Sequence, residues 1–157
     1  MNTENENRWY YEDLEPGQCW LSPRRTVTEA DVVNFAGLSG DYNALHTDEV
    51  YASAHKFGRR AAHGLLTLCM ASGLVTRMPA YQRMDGARIA LTELRCRWKR
   101  PVFIGDTIQV RLTIGAKSSS TRPETGLVML EREVLNQEGQ VVVESEWQTL
   151  IKRREAS

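Results

Sequence analysis

The stretch that decides the fold is Ala61-Ala62-His63-Gly64-Leu65-Leu66-Thr67-Leu68-Cys69-Met70-Ala71-Ser72-Gly73-Leu74-Val75-Thr76-Arg77-Met78. It reads as one helix over Ala61–Met78, with apolar residues on nearly its whole circumference. A helix that is hydrophobic all round belongs inside a protein. A membrane span would need about 20 predominantly apolar residues. His63, Gly64, Thr67, Ser72, Gly73 and Arg77 break this run, which excludes the membrane.

Downstream, the period changes from helical to alternating. Ala90, Thr92, Leu94, Cys96 and Trp98 alternate with Leu91, Glu93, Arg95 and Arg97, as in a half-buried strand. After Pro101 and Gly105, the residues Ile108, Val110, Leu112 and Ile114 alternate with Gln109, Arg111 and Thr113. Lys117–Gly126 reads as a polar connection and Leu127–Leu135 as another strand. Asn136-Gln137-Glu138-Gly139 is a hairpin turn, and Val141–Ile151 is the last strand before the solvated Lys152-Arg153-Arg154.

Upstream, Pro16-Gly17 turns into a first strand near Gln18–Val27. Thr28 reads as an N-cap with Asp31 at the acidic third position. The helix that follows carries Val32, Val33, Phe35 and Ala36 and stops at Gly37–Gly40. Thr47 is expected to cap a short helix through Val50, Tyr51 and Ala54. One buried helix plus about five mostly antiparallel strands gives an α+β class.

The 157 residues suit a single domain with a real core, expected over 8–152. Residues 1–7 are polar and acidic, unlike a signal peptide, and are expected to be disordered. Residues 153–157 read as a polar tail. With 20 basic and 20 acidic side chains the net charge is zero, so nothing global points to nucleic acid or a membrane surface. Cys19, Cys69 and Cys96 are scattered without metal-ligand spacing, which suits reduced thiols in a cytoplasm rather than a disulfide framework.

Between the two upstream helices lies Gly40-Asp41-Tyr42-Asn43-Ala44-Leu45-His46. A carboxylate and an imidazole are the side chains most used to move protons near neutral pH. Gly40, Asp41 and Asn43 favour the curl that would aim both at one point. By spacing alone, a helix end with an Asx-turn and a surface histidine is the commoner reading of such a stretch.

The longer run Phe35-Ala36-Gly37-Leu38-Ser39-Gly40-Asp41-Tyr42-Asn43-Ala44-Leu45-His46, followed after five residues by Ala52, resembles the signature of the MaoC-like (R)-specific enoyl-CoA hydratases. Ala62-His63-Gly64-Leu65 and Pro101-Val102-Phe103-Ile104-Gly105-Asp106-Thr107 extend the resemblance over most of the chain, from about Tyr11 to Ile151. The family's usual proline is Ala44 here, which forfeits a backbone restriction worth roughly 0.4–1 kcal/mol but removes no chemical group.

The resemblance implies a hot-dog fold, a curved sheet wrapped around the central helix. It implies that Asp41 and His46 hold one water and share the acid and base tasks of hydrating a trans-2-enoyl thioester, and that the Gly64 N–H stabilises the oxyanion. Asn43 is expected to shape the loop and orient water. His63 is expected at the helix start with a satisfied ring, and His55 at the surface. Arg59, Arg60 and Arg97 are candidates for the phosphates of coenzyme A, or else a solvated face. No metal and no cofactor beyond the substrate's coenzyme A are implied, and two copies are expected to join edge to edge. The rivals are a hot-dog acyl-CoA thioesterase and a non-catalytic acyl-thioester-binding subunit.

Overall fold

The computed structural model describes residues 8–155; the disorder expected of residues 1–7 lies outside them. After a 3-10 turn at Tyr11–Asp13 come β1 (Cys19–Leu21) and β2 (Arg25–Thr26). Four helices precede or follow the signature: α1 (Glu29–Ser39), α2 (Ala44–Thr47), α3 (Glu49–Ala54) and the central α4 (Gly64–Thr76). A short α5 (Pro79–Gln82) leads to β3 (Arg88–Trp98), β4 (Thr107–Ser119), β5 (Thr125–Leu135) and β6 (Val141–Lys152). The strands lie in the order β1-β4-β5-β6-β3, with β2 also on β4 and every pairing antiparallel. The sheet curls round α4, the hot-dog arrangement of the α+β class.

The alternation of the long strands sets the core. Val110, Leu112 and Ile114 of β4, Val128 and Leu130 of β5, and Val143 and Ile151 of β6 are buried together with Leu66, Met70, Leu74 and Val75 of α4. Each such side chain contributes roughly 1.5–3 kcal/mol by leaving water.

α1 begins as its sequence predicts. Thr28 Oγ1 accepts the Asp31 N–H at 3.2 Å, and the Asp31 carboxylate accepts the Thr28 N–H at 2.9 Å. It ends at Gly40, whose φ of 75° is the left-handed conformation that glycine adopts without strain.

Several expectations need correction. The strand over Gln18–Val27 is cut in two at Ser22-Pro23-Arg24, because Pro23 has no N–H to give the ladder. At the break, the Ser22 hydroxyl accepts the Val110 N–H instead, at 2.9 Å. Six strands therefore form where about five are expected. Of the polar stretch Lys117–Gly126, the two ends belong to β4 and β5, and the connection is confined to residues 120–124. The short helix after the signature is capped by Asp48, which accepts the Tyr51 N–H at 3.0 Å, not by Thr47. Thr47 instead closes α2 by donating its hydroxyl to the Tyr42 and Asn43 carbonyls. The central helix starts at Gly64 rather than Ala61; Ala61 is drawn into a bridge with Phe103. The end of the chain is not simply solvated, since Arg154 pairs with Asp13 at 2.6 Å.

β3 differs most. It pairs with β6 alone, and nearly all its residues are exposed rather than half-buried. On α4, Leu65, Cys69, Ser72 and Thr76 form one incompletely covered stripe at helical spacing. An open strand edge and an open helix stripe thus lie on the same side of the domain.

Candidate active site

The signature folds as a bend between two helices. The Asn43 N–H donates to Asp41 Oδ1 at 3.2 Å, an Asx-turn, and Asn43 Oδ1 accepts the Leu45 N–H at 2.9 Å to cap α2. This bend brings the Asp41 carboxylate and the His46 and His63 rings together, with ligating atoms of all three within 4.8 Å of one another. One carboxylate oxygen and two imidazole nitrogens form a donor set that can hold a water or ligate a cation.

His46 is held in one tautomer. Its Nδ1 lies 2.7 Å from the Ala61 carbonyl oxygen, an acceptor only, so Nδ1 carries the proton and donates. Nε2 is thereby left to act on a ligand. Against His46 stacks His63, with ring centroids 3.8 Å apart and planes at 29°. His63 is 2% exposed, backed by Phe35, and donates from Nε2 to the Asp41 carbonyl at 2.9 Å. Its ring is only half satisfied, because Nδ1 is buried with no hydrogen-bond partner among the described residues. His63 therefore braces both members of the pair: it pins the Asp41 backbone and forms the floor under His46.

Gly64 opens α4, and the N-cap residue His63 makes no side-chain cap bond to it. The first N–H groups of such a helix lack intrahelical partners and lie at the positive end of its dipole. A methyl group added at Gly64 would come within 2.7 Å of the Trp98 indole nitrogen. Glycine is thus required for the close approach of β3 to the helix start. His46, Gly64, Phe57, Trp98 and Arg100 help line one groove of about 410 Å³.

The basic candidates separate. Arg60 is held between α1 and α3 by Glu29 at 2.7 Å and Glu49 at 2.8 Å. Hydrogen bonding to these carboxylates raises its pKa further, while Arg60 lowers that of Glu29. Arg59 stacks on Phe103, 4.0 Å from the ring centroid. Arg97 faces away from the groove, in a charged hollow with Glu144 and Glu146. The cations that do line the groove are Lys56, Lys99 and Arg100.

Of the remaining candidates, His55 is half-buried between Tyr51 and Phe57 rather than at the surface. Burial raises the pKa of the Cys96 thiol, the opposite of what a nucleophile needs. Two features of the site were not read from the sequence. The bracing of Asp41 by His63 spans 22 positions and leaves no local signal. Trp98 registered only as an alternating strand residue, although an indole near the end of a strand is a natural groove wall.

The MaoC like domain family matches residues 14–135, and the chain belongs to that family. Over 146 residues, covering 92% of this chain and 93% of the other, it is 35% identical to an (R)-specific enoyl-CoA hydratase of Rhodospirillum rubrum. It is 45% identical over 111 residues to Protein MaoC of Klebsiella aerogenes, where the match covers 71% of this chain but 32% of that longer protein. Among solved structures, a monoamine oxidase regulatory protein from Archaeoglobus superposes with a TM-score of 0.88 at 33% identity, covering 94% of this chain and 97% of that one.

Proposed function

We propose that this protein reversibly hydrates a trans-2-enoyl-CoA to the (R)-3-hydroxyacyl-CoA. The observation that carries the reading is the Asp41 carboxylate set beside His46, whose ring lines one groove together with Gly64 at the start of α4. Hydration needs a base to take a proton from water as it attacks C3, an acid to protonate C2, and a donor at the thioester oxygen. Asp41 and His46 Nε2 address one water and share the first two tasks; as a close pair they titrate as a unit. The Gly64 N–H supplies the third. Moving a proton between water and carbon in this way calls on no metal and no cofactor beyond the substrate's own coenzyme A. Lys56 and Arg100, with Lys99, which also pairs with Glu144 at 3.1 Å, form a cationic rim suited to its phosphates. The name of the near full-length relative from Rhodospirillum rubrum supports the same reaction class.

The test is a panel of enoyl-CoA substrates monitored for loss of enoyl absorbance, with a thiol reagent present. Absorbance should fall with no free coenzyme A released. Stoichiometric thiol would make the protein a thioesterase, and saturable binding without turnover would leave it an acyl-thioester-binding subunit.

The working form is a homodimer joined through the open edge of β3, with the Leu65–Thr76 stripe of α4 facing its copy. Unpaired strand edges are covered or paired in stable proteins, and isologous dimers are the commonest way to do so. Ile89, Leu91, Leu94 and Trp98 are each at least 40% exposed along that edge. Light scattering at micromolar concentration should give twice the chain mass of 17.8 kDa. A compact monomer contradicts the edge-to-edge assembly.

A further inference from the structure

Arg132 is the one charged residue among the described core side chains, 2% exposed on the inward face of β5 between Leu130 and Val134. Among the described residues it forms no ion pair, and its Nε and Nη1 have no hydrogen-bond partner. The contacts it does have are the Trp147 ring, 3.8 Å from the guanidinium carbon, and the Tyr81 hydroxyl, 3.1 Å from Nη2. Tyr81 also receives a hydrogen bond from Arg88, whose own Nε is buried and unpartnered. One carboxylate, Asp85, serves Arg88 at the rim. Of the two guanidiniums one has an acid and the other none among the described residues, and three of their donor nitrogens have no acceptor. A buried charge left this way is costly unless something supplies the missing partner.

Arg88 and Arg132 line a second pocket of about 310 Å³, together with Ser72 of α4 and Leu91 of β3, which in the proposed homodimer lies at the seam between the copies. The hydration groove lies between the same elements, at Thr67 of α4, Trp98 of β3 and Val143 of β6. From Gly64 to Ser72 the helix rises about 12 Å; from Val143 to Trp147 the strand advances about 13 Å. The two pockets are therefore the near and far ends of one strip of the helix–sheet interface. Ile89, Leu91 and Trp147 give this pocket an apolar wall beside Ser72, Thr76 and Thr149.

We propose that the Arg88–Arg132–Tyr81 pocket binds a carboxylate at the far end of the acyl chain, so that the preferred substrates are CoA monothioesters of dicarboxylic acids. This rests on the hydratase reading of the groove and specifies its substrate class. A planar carboxylate matches the fork of a guanidinium, and methylenes match the apolar wall.

The experiment separates binding from turnover. Saturated CoA monothioesters of adipic, suberic, sebacic and dodecanedioic acids are titrated by calorimetry beside alkyl acyl-CoAs of equal length. Their 2-enoyl forms are assayed for hydration. For the best-fitting length the diacid thioester should bind roughly 10- to 100-fold tighter than its alkyl counterpart, the range for hydrogen bonds to a charged group. Arg132→Met should reduce that ratio to near one, and Arg88→Gln should reduce it in part. The methionine variant should fold, because apolar replacement of a buried ionic group is often neutral or stabilising; if it does not, Arg88→Gln and Tyr81→Phe carry the comparison. Equal binding of both series by the wild type, or a preference left unchanged by Arg132→Met or by Arg88→Gln, overturns the proposal. Diacid preference in binding without hydration of any enoyl form keeps the carboxylate site and removes the hydratase reading instead.

Discussion

Replacing Asp41 with Asn, or His46 with Gln, should each slow hydration by at least about 10²-fold, the low end for lost general acid–base catalysis. Neither change should unfold the protein. The Asx-turn uses Asp41 Oδ1 only as an acceptor for the Asn43 N–H, and an asparagine oxygen accepts the same bond. Glutamine at 46 keeps an N–H that can reach the Ala61 carbonyl now served by Nδ1. What each variant loses is the ability to exchange a proton near neutral pH. Circular dichroism and steady-state rates together decide the matter, since near wild-type turnover in a folded variant removes the pair from the mechanism.

The second large effect is at Gly64. Proline there should cut the rate by roughly 10²–10³-fold, the typical loss on removing one oxyanion donor, and alanine by less. Both substitutions place a Cβ against Trp98, 2.7 Å from its indole nitrogen, so both crowd the groove wall to a similar degree. Only proline also removes the N–H. The first helical position tolerates proline, and His63, with φ −59° and ψ 138°, already has the conformation that a residue before proline prefers. The proline–alanine difference in kcat therefore isolates the N–H. Equal rates in the two folded variants would make Gly64 a packing glycine required by Trp98 alone.

Local signals carried much of this account. The Thr28–Asp31 capping box, the glycine stop at Gly40 and the strand alternation of Ile108–Ile114 each depend on residues a few positions apart, and each is found where the sequence places it. Failures occurred where a non-local partner decides. Alternation in Ala90–Trp98 signals a strand but not whether anything covers it, and β3 proves to be an open edge. Thr47 and Asp48 are both capping residues, and the choice between them depends on α2 being a separate turn that ends at Thr47. Arg60 and Arg97, candidates for phosphates or else a solvated face by their place in the chain, show the same dependence: Glu29 and Glu49 engage the first, and strand parity turns the second outward. Arg132 did leave a sequence signal, an arginine at an inward-facing parity between Leu130 and Val134. That parity says where the side chain goes and nothing of what neutralises it.

In the proposed reaction one water, addressed by Asp41 and His46 from one side of a thioester held at Gly64, adds across the double bond. Hydration of an accepted enoyl-CoA in deuterated water, with the product resolved by magnetic resonance and by dehydrogenases of opposite stereospecificity, tests it most directly. The predicted product has the R configuration at C3, with the deuteron at C2 delivered to the same face as the hydroxyl and no coenzyme A released. An S alcohol, or addition from opposite faces, would contradict the geometry of the site. Free thiol in stoichiometric amount would contradict the reaction itself.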